Sequence, residues 1–191
     1  MGHVVRPAVA IAAAGILGLL APGPSNAATG AAPQPQPQRA AVTSVAGYYP
    51  DVDRIVCEIN EDRAGHGLPA LLISQTAGDV ARAHAKDMSG QNKLTSVGSD
   101  GRDLRARLSD AGIFSSFVYE FMFYGYDHDG YFADMATDSD PANEFHKALM
   151  NSKVVALGLG YEDQYWDVDL LGAHRRLTTR AASCGDSTTT A

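Results

Sequence analysis

Residues 52–88 read VDRIVCEINEDRAGHGLPALLISQTAGDVARAHAKDM, and this stretch decides the fold. Val52, Ile55, Val56 and Ile59 fall at i, i+3, i+4 and i+7, the spacing of one helical face. Asp51 or Asp53 can cap that helix, because a carboxylate accepts from the free N–H groups of a first turn. Gly65, Gly67 and Pro69 end it. A second helix restarts after Ser74, with Ala77, Val80, Ala81, His84 and Met88 along its apolar stripe, and Gly90 closes it. A histidine thus sits on the inward face of a helix. The pattern favours a buried structural role for His84, bonded to backbone, over a role in chemistry.

Outward from this pair, the chain of 191 residues fits one domain with appendages. Residues 1–27 have the form of a secretory signal peptide: Arg6, an apolar run of 13 residues from Ala8 to Leu20, then small residues at Ser25-Asn26-Ala27. That run is shorter than the roughly 20 residues a membrane span needs. Residues 28–46, with PQPQPQ at their centre, read as a flexible spacer. The domain is expected over 47–172, followed by a tail over 173–191. Loss of 1–27 removes one arginine and no acid, moving the formal charge from −7 to −8. Such an acidic surface disfavours nucleic acid and anionic lipid as partners. The expected setting is secreted, outside the cell, where Cys57 and Cys184 are candidates for a disulfide. The alternative is one buried thiol in the helix and one exposed thiol in a loose tail.

Downstream, Asp100 can cap a short helix over 102–111, with Gly112 as its left-handed stop. Residues 113–126 hold seven aromatics around a single acid, Glu120. Either those aromatics are core or they line an apolar groove. Residues 127–141 are acidic and lack a clear period, and 143–150 can form another short helix. Near the end, Val155, Leu157 and Leu159, then Trp166, Val168 and Leu170, alternate with small or polar residues. Period two with one wet face argues antiparallel strands turning at Glu162-Asp163-Gln164. Helices first and a hairpin last give an α+β domain, helices covering an antiparallel sheet.

Four segments in order, INEDRAGHGLPAL, ARAHAKDM, GSDGRDLRARLSDAG and GLGY with YWDVDL, resemble the CAP superfamily (SCP or PR-1-like) in its secreted bacterial branch, over about residues 51–172. The resemblance implies an α-β-α sandwich and a cleft lined by two histidines and two acids, often able to hold a divalent cation. Carried over, the first cleft histidine falls on Ser96, the Gly-Glu-Asn glutamate on Glu120 and the second histidine on His146, with Glu144 as a stand-in for the second acid. The cleft is therefore degenerate. The leading expectation is a non-catalytic binding or cell-envelope-associated module, with an unidentified small molecule, lipid or envelope component as partner and no cofactor. The alternatives are a metal-assisted hydrolase or peptidase using Glu120 and His146, with zinc as the metal, or a lipid- or sterol-binding protein. His66 and His128 are expected in solvated loops.

Overall fold

A computed structural model describes residues 47–115, 117–174 and 177–185. The expected signal peptide and spacer, and parts of the C-terminal tail, lie outside the described residues. The elements are α1 (Val52–Gly65), β1 (Leu72–Ile73), α2 (Gln75–Gln91), α3 (Leu104–Asp110), β2 (Val118–Tyr124), α4 (Asp129–Thr137), α5 (Glu144–Leu149), β3 (Val154–Glu162) and β4 (Tyr165–Gly172). One sheet runs β1-β3-β4-β2, with β1 parallel to β3 and the other pairs antiparallel. The class is α+β, an α-β-α sandwich. No described helix is long and apolar enough to cross a membrane.

Asp51 caps α1 by accepting from the Arg54 N–H at 3.1 Å, and Ser74 caps α2 by accepting from Ala77. Helix α2 runs one residue past Gly90 to Gln91, and Asn92, with a φ of 51°, supplies the left-handed cap. Helix α3 starts later than the pattern suggested, with Asp103 as its cap. Asp100 instead accepts from the Arg102 N–H and pairs with that guanidinium. The acidic stretch after 127 contains α4, capped by His128, whose Nδ1 accepts from the Tyr131 N–H at 3.2 Å. Its burial of Phe132, Ala133 and Ala136 is the helical signal hidden among acids and glycine.

The hairpin turns on Asp163 and Gln164, both with positive φ (47° and 71°). Along β3, Leu157, Leu159 and Tyr161 join Trp166, Val168 and Leu170 of β4 in a core with Ile55, Val56 and Ile59 of α1 and Phe132, Phe145 and Leu149 of α4 and α5. Trp166 stacks on Phe132 at 4.2 Å between centroids. On the opposite face, α2 lies directly on the strands. A Cβ at Gly158 would come within 2.3 Å of Ala77 backbone, and one at Gly160 within 2.1 Å of Arg82 backbone. That contact corrects the expected wet face of the hairpin: Asp167 and Asp169 point toward α2 and are fully buried. The helix covers the polar positions because the two glycines let it descend onto the sheet.

The C-terminal segment is fastened rather than trailing. Arg180 bridges Ile73 at the sheet edge, its guanidinium grips both carboxylate oxygens of Asp53, and Cys184 is bonded to Cys57.

Candidate functional site

Glu120 stands at the middle of β2, opposite Asp169 of β4. Its strand neighbours Phe121 and Phe123 point the other way and pack on Phe145 at 5.0 Å each. Alternation therefore sends Glu120 toward α2 and α3. There the Arg107 guanidinium donates to Oε1, and also to the carbonyls of Ser96 (3.1 Å) and Arg102 (2.9 Å). His84 Nε2 lies 3.8 Å from the same Oε1 and 2.7 Å from the Thr95 carbonyl. A carbonyl only accepts, so His84 is the Nε2–H tautomer, donating to Thr95.

Beneath this group lie Asp167 and Asp169. None of their four carboxyl oxygens has a partner in hydrogen-bonding geometry among the described residues, nor has Arg107 Nε. A lone buried charge costs several kcal/mol, so such groups neutralise instead. Burial, reinforced by the nearby Glu120, holds both aspartates protonated well above the usual carboxylate range. Burial also lifts Glu120 to about 7, against the pull of Arg107 and with a further push from Asp103. His84 moves down, first through burial and then through Arg107, so its ring is neutral. A polar hollow of about 160 Å³ opens above, lined by His84, Asp87, Ser99, Asp100, Arg102 and Arg107.

Of the residues singled out in the sequence, Ser96 and Glu120 converge, through the shared Arg107. The serine contributes its carbonyl, not its exposed side chain. The structure does not bring His146 and Glu144 to them. His146 is on α5, on the far side of the sheet, where its Nε2 meets Asp62 Oδ2 of α1 at 2.8 Å. Glu144 is exposed and pairs with Lys147 at 2.7 Å. Arg107, Asp167 and Asp169 escaped the sequence reading. Arg107 carried a usable signal, since it lies between Leu104 and Leu108 on the buried face of α3.

The family resemblance implies a cation in the cleft, and the residues around Glu120 do not suit one. His84, Glu120 and Asp167 offer ligand atoms within 4.8 Å of one another. Yet the Arg107 guanidinium already supplies the positive charge at Glu120, and the near imidazole nitrogen of His84 carries a proton given to Thr95. A cation there would have to displace both.

The profile of the Cysteine-rich secretory protein family (CAP) matches residues 56–171. No curated protein matches the chain. Among solved structures, an extracellular protein containing an SCP domain from Bacillus anthracis is similar at TM-score 0.56 and 22% identity, over 63% of this chain and 39% of that one. A cysteine-rich secretory protein from Staphylococcus aureus gives 0.52 and 18%, over 63% and 37%. An outer surface protein from Borrelia burgdorferi gives 0.54 and 18%, over 63% and 91%. The chain thus spans well under half of the first two proteins. At these identities the likeness is one of fold.

Proposed function

Because the chain belongs to the Cysteine-rich secretory protein (CAP) family, we propose that it acts outside the cell as a non-catalytic binding module whose cleft has lost its cation chemistry. One observation carries this reading: Glu120 is clasped by Arg107 on one side of the sheet while His146 is bonded to Asp62 on the other. A metal-assisted hydrolase built on these two residues needs both on one ion or one water. The same clasp leaves Glu120 with its side chain only 8% exposed. What faces solvent is the polar hollow above it, where Asp100 is paired with Arg102 and Asp87 accepts from Ser99. That mixture of charges suits a small polar group of a ligand or an envelope partner.

An extracellular setting agrees with the Cys57–Cys184 bond, since disulfides persist in oxidising compartments. It agrees with the signal-like residues 1–27 and with the surface and extracellular descriptions of the similar structures. Of the seven aromatics of the groove alternative, Phe117, Phe121, Phe123 and Tyr126 pack against the core, while Phe114, Tyr119 and Tyr124 are exposed.

Zinc titration by calorimetry of the wild type, Glu120→Ala and His146→Ala tests the separation of the two residues. The expected result is that Glu120→Ala leaves any zinc affinity unchanged. Tight binding abolished by each substitution alone would overturn the reading, since it would place both side chains on one ion.

A further inference from the structure

The last turn of α1 and the face of α5 hold three side chains that the cleft does not use: Asp62, His66 and His146. Asp62 and His66 are one helical turn apart, so both project from the same side of α1. His146 reaches them from α5. Asp62 stands between the two rings, with Oδ2 at 2.8 Å from His146 Nε2 and Oδ1 at 3.6 Å from His66 Nε2. The ring centroids of His66 and His146 are 6.1 Å apart. All three donor atoms fall within 4.8 Å of one another.

From this geometry we infer a site for a divalent transition-metal cation, zinc by preference, that ties α1 to α5. Two imidazole nitrogens and one carboxylate oxygen are the donor types zinc takes in tetrahedral sites with an open position. Bonds of about 2.0–2.1 Å at tetrahedral angles place donor atoms about 3.3 Å apart, so three donor atoms within 4.8 Å of one another need only a modest inward shift of the exposed His66 ring and the carboxylate. Calcium and magnesium prefer all-oxygen shells and are disfavoured. Among the described residues no guanidinium or ammonium is bonded to the Asp62 carboxylate, in contrast to Glu120.

The two helices are already held in register by the neighbouring Arg63. Its side chain crosses from α1 to donate to the carbonyls of Pro69 and Leu149, with a longer contact to that of Val154 at 3.4 Å. The His146 N–H donates to Asn143 Oδ1, a cap that fixes the start of α5. Binding replaces the His146–Asp62 hydrogen bond by two bonds to the ion, and the His146 proton leaves Nε2, the neutral ring keeping its hydrogen on Nδ1. The His66 side chain is 52% exposed, so the ion can arrive from solvent and keep its fourth position there. Asp62 and His66 occupy positions that the family resemblance does not single out.

The test is calorimetry of the chelator-stripped full chain with zinc chloride, repeated with His66→Ala, Asp62→Asn and Glu120→Gln. The expected result is one saturable site on the wild type. Loss of second-shell partners alone weakens metal sites about 10–100-fold, so removal of the ligand His66 or Asp62 should weaken binding at least that much. Glu120→Gln should bind as the wild type does. His66 is exposed, so its replacement tests the site without threatening the fold. Cobalt(II) in place of zinc should give the intense visible bands of a four-coordinate ion in the wild type and lose them in His66→Ala. No saturable binding below roughly 100 µM would overturn the inference. So would binding that survives His66→Ala undiminished, or binding lost in Glu120→Gln and kept in His66→Ala.

Discussion

Glu120, Asp167 and Asp169 crowd three carboxyls under α2 with one arginine to answer them, and this sets a pH dependence. A carboxyl whose pKa is raised on folding holds its proton more tightly in the native state. The stability it contributes is full below its unfolded value, near pH 4, and is lost as pH rises through the folded value, about 7 for Glu120. Asp167 and Asp169 are shifted in the same direction by burial. His84 acts oppositely: its lowered pKa contributes stability above about 6.5 that is lost as pH falls through the folded value. Three carboxyls against one imidazole predict that the protein is more stable to urea at pH 5.5 than at pH 8. Asp169→Asn imitates the protonated acid and should shrink that difference. The reduction follows from the upward shift of Asp169, because the variant carries no charge to bury as pH rises. Identical slopes for wild type and variant would show that Asp169 ionises freely in the fold.

Whether a side chain was legible in the sequence depended on what its element packs against. The stripes of α1 and α2 show through because each helix buries one face and wets the other. The hairpin was legible as strands for the same reason, but its second face was misassigned: Asp167 and Asp169 look like solvent positions until α2 is laid over them. The clue was Gly158-x-Gly160, which removes side chains where the helix descends. Strand β2 gave no alternation, because aromatics occupy both of its faces. Two substitutions at this scale have opposite expected outcomes. Gly160→Ala would drive a methyl into Arg82 backbone at 2.1 Å, forcing α2 off the sheet. Overpacking of this kind costs about 1–3 kcal/mol or more, and here it would also disturb the cover over Asp167. Gly90→Ala, in the last turn of α2, meets nothing within 4 Å and should stabilise by about 0.5–1 kcal/mol through helix propensity. Urea denaturation of the two variants decides it. Equal effects would mean that α2 does not rest on β3 as closely as the glycines indicate.

Across the molecule, the two ends of the described chain meet on α1. Cys57 sits within the helix, and Cys184 reaches it from the C-terminal segment, 127 residues away in sequence. The bond does not act alone. Arg180 pairs with Asp53 at 2.6 and 2.8 Å, the Ser183 N–H donates to the same carboxylate at 2.7 Å, and Arg180 adds a bridge to β1. These contacts are exposed, and surface ion pairs are worth at most about 1 kcal/mol, so they guide the segment without securing it. The covalent link closes a loop of more than 100 residues, and in the chain-entropy model it restricts the unfolded state by about 4–5 kcal/mol. Reduction should therefore lower the urea midpoint sharply while leaving the sheet and α2 in place, because neither the core around Trp166 nor the Arg107 clasp includes either sulfur. Intact mass before and after reduction, at matched alkylation, first establishes that the bond forms in secreted material. Exchange of the Arg180 N–H, bonded to the Ile73 carbonyl at 2.9 Å, then reports whether the segment stays on the sheet edge. It should exchange much faster in the reduced protein, with the amides of β3 and β4 still protected. Unchanged protection at Arg180 would mean that the ion pair and strand bridge suffice, and that the disulfide acts on the unfolded chain alone.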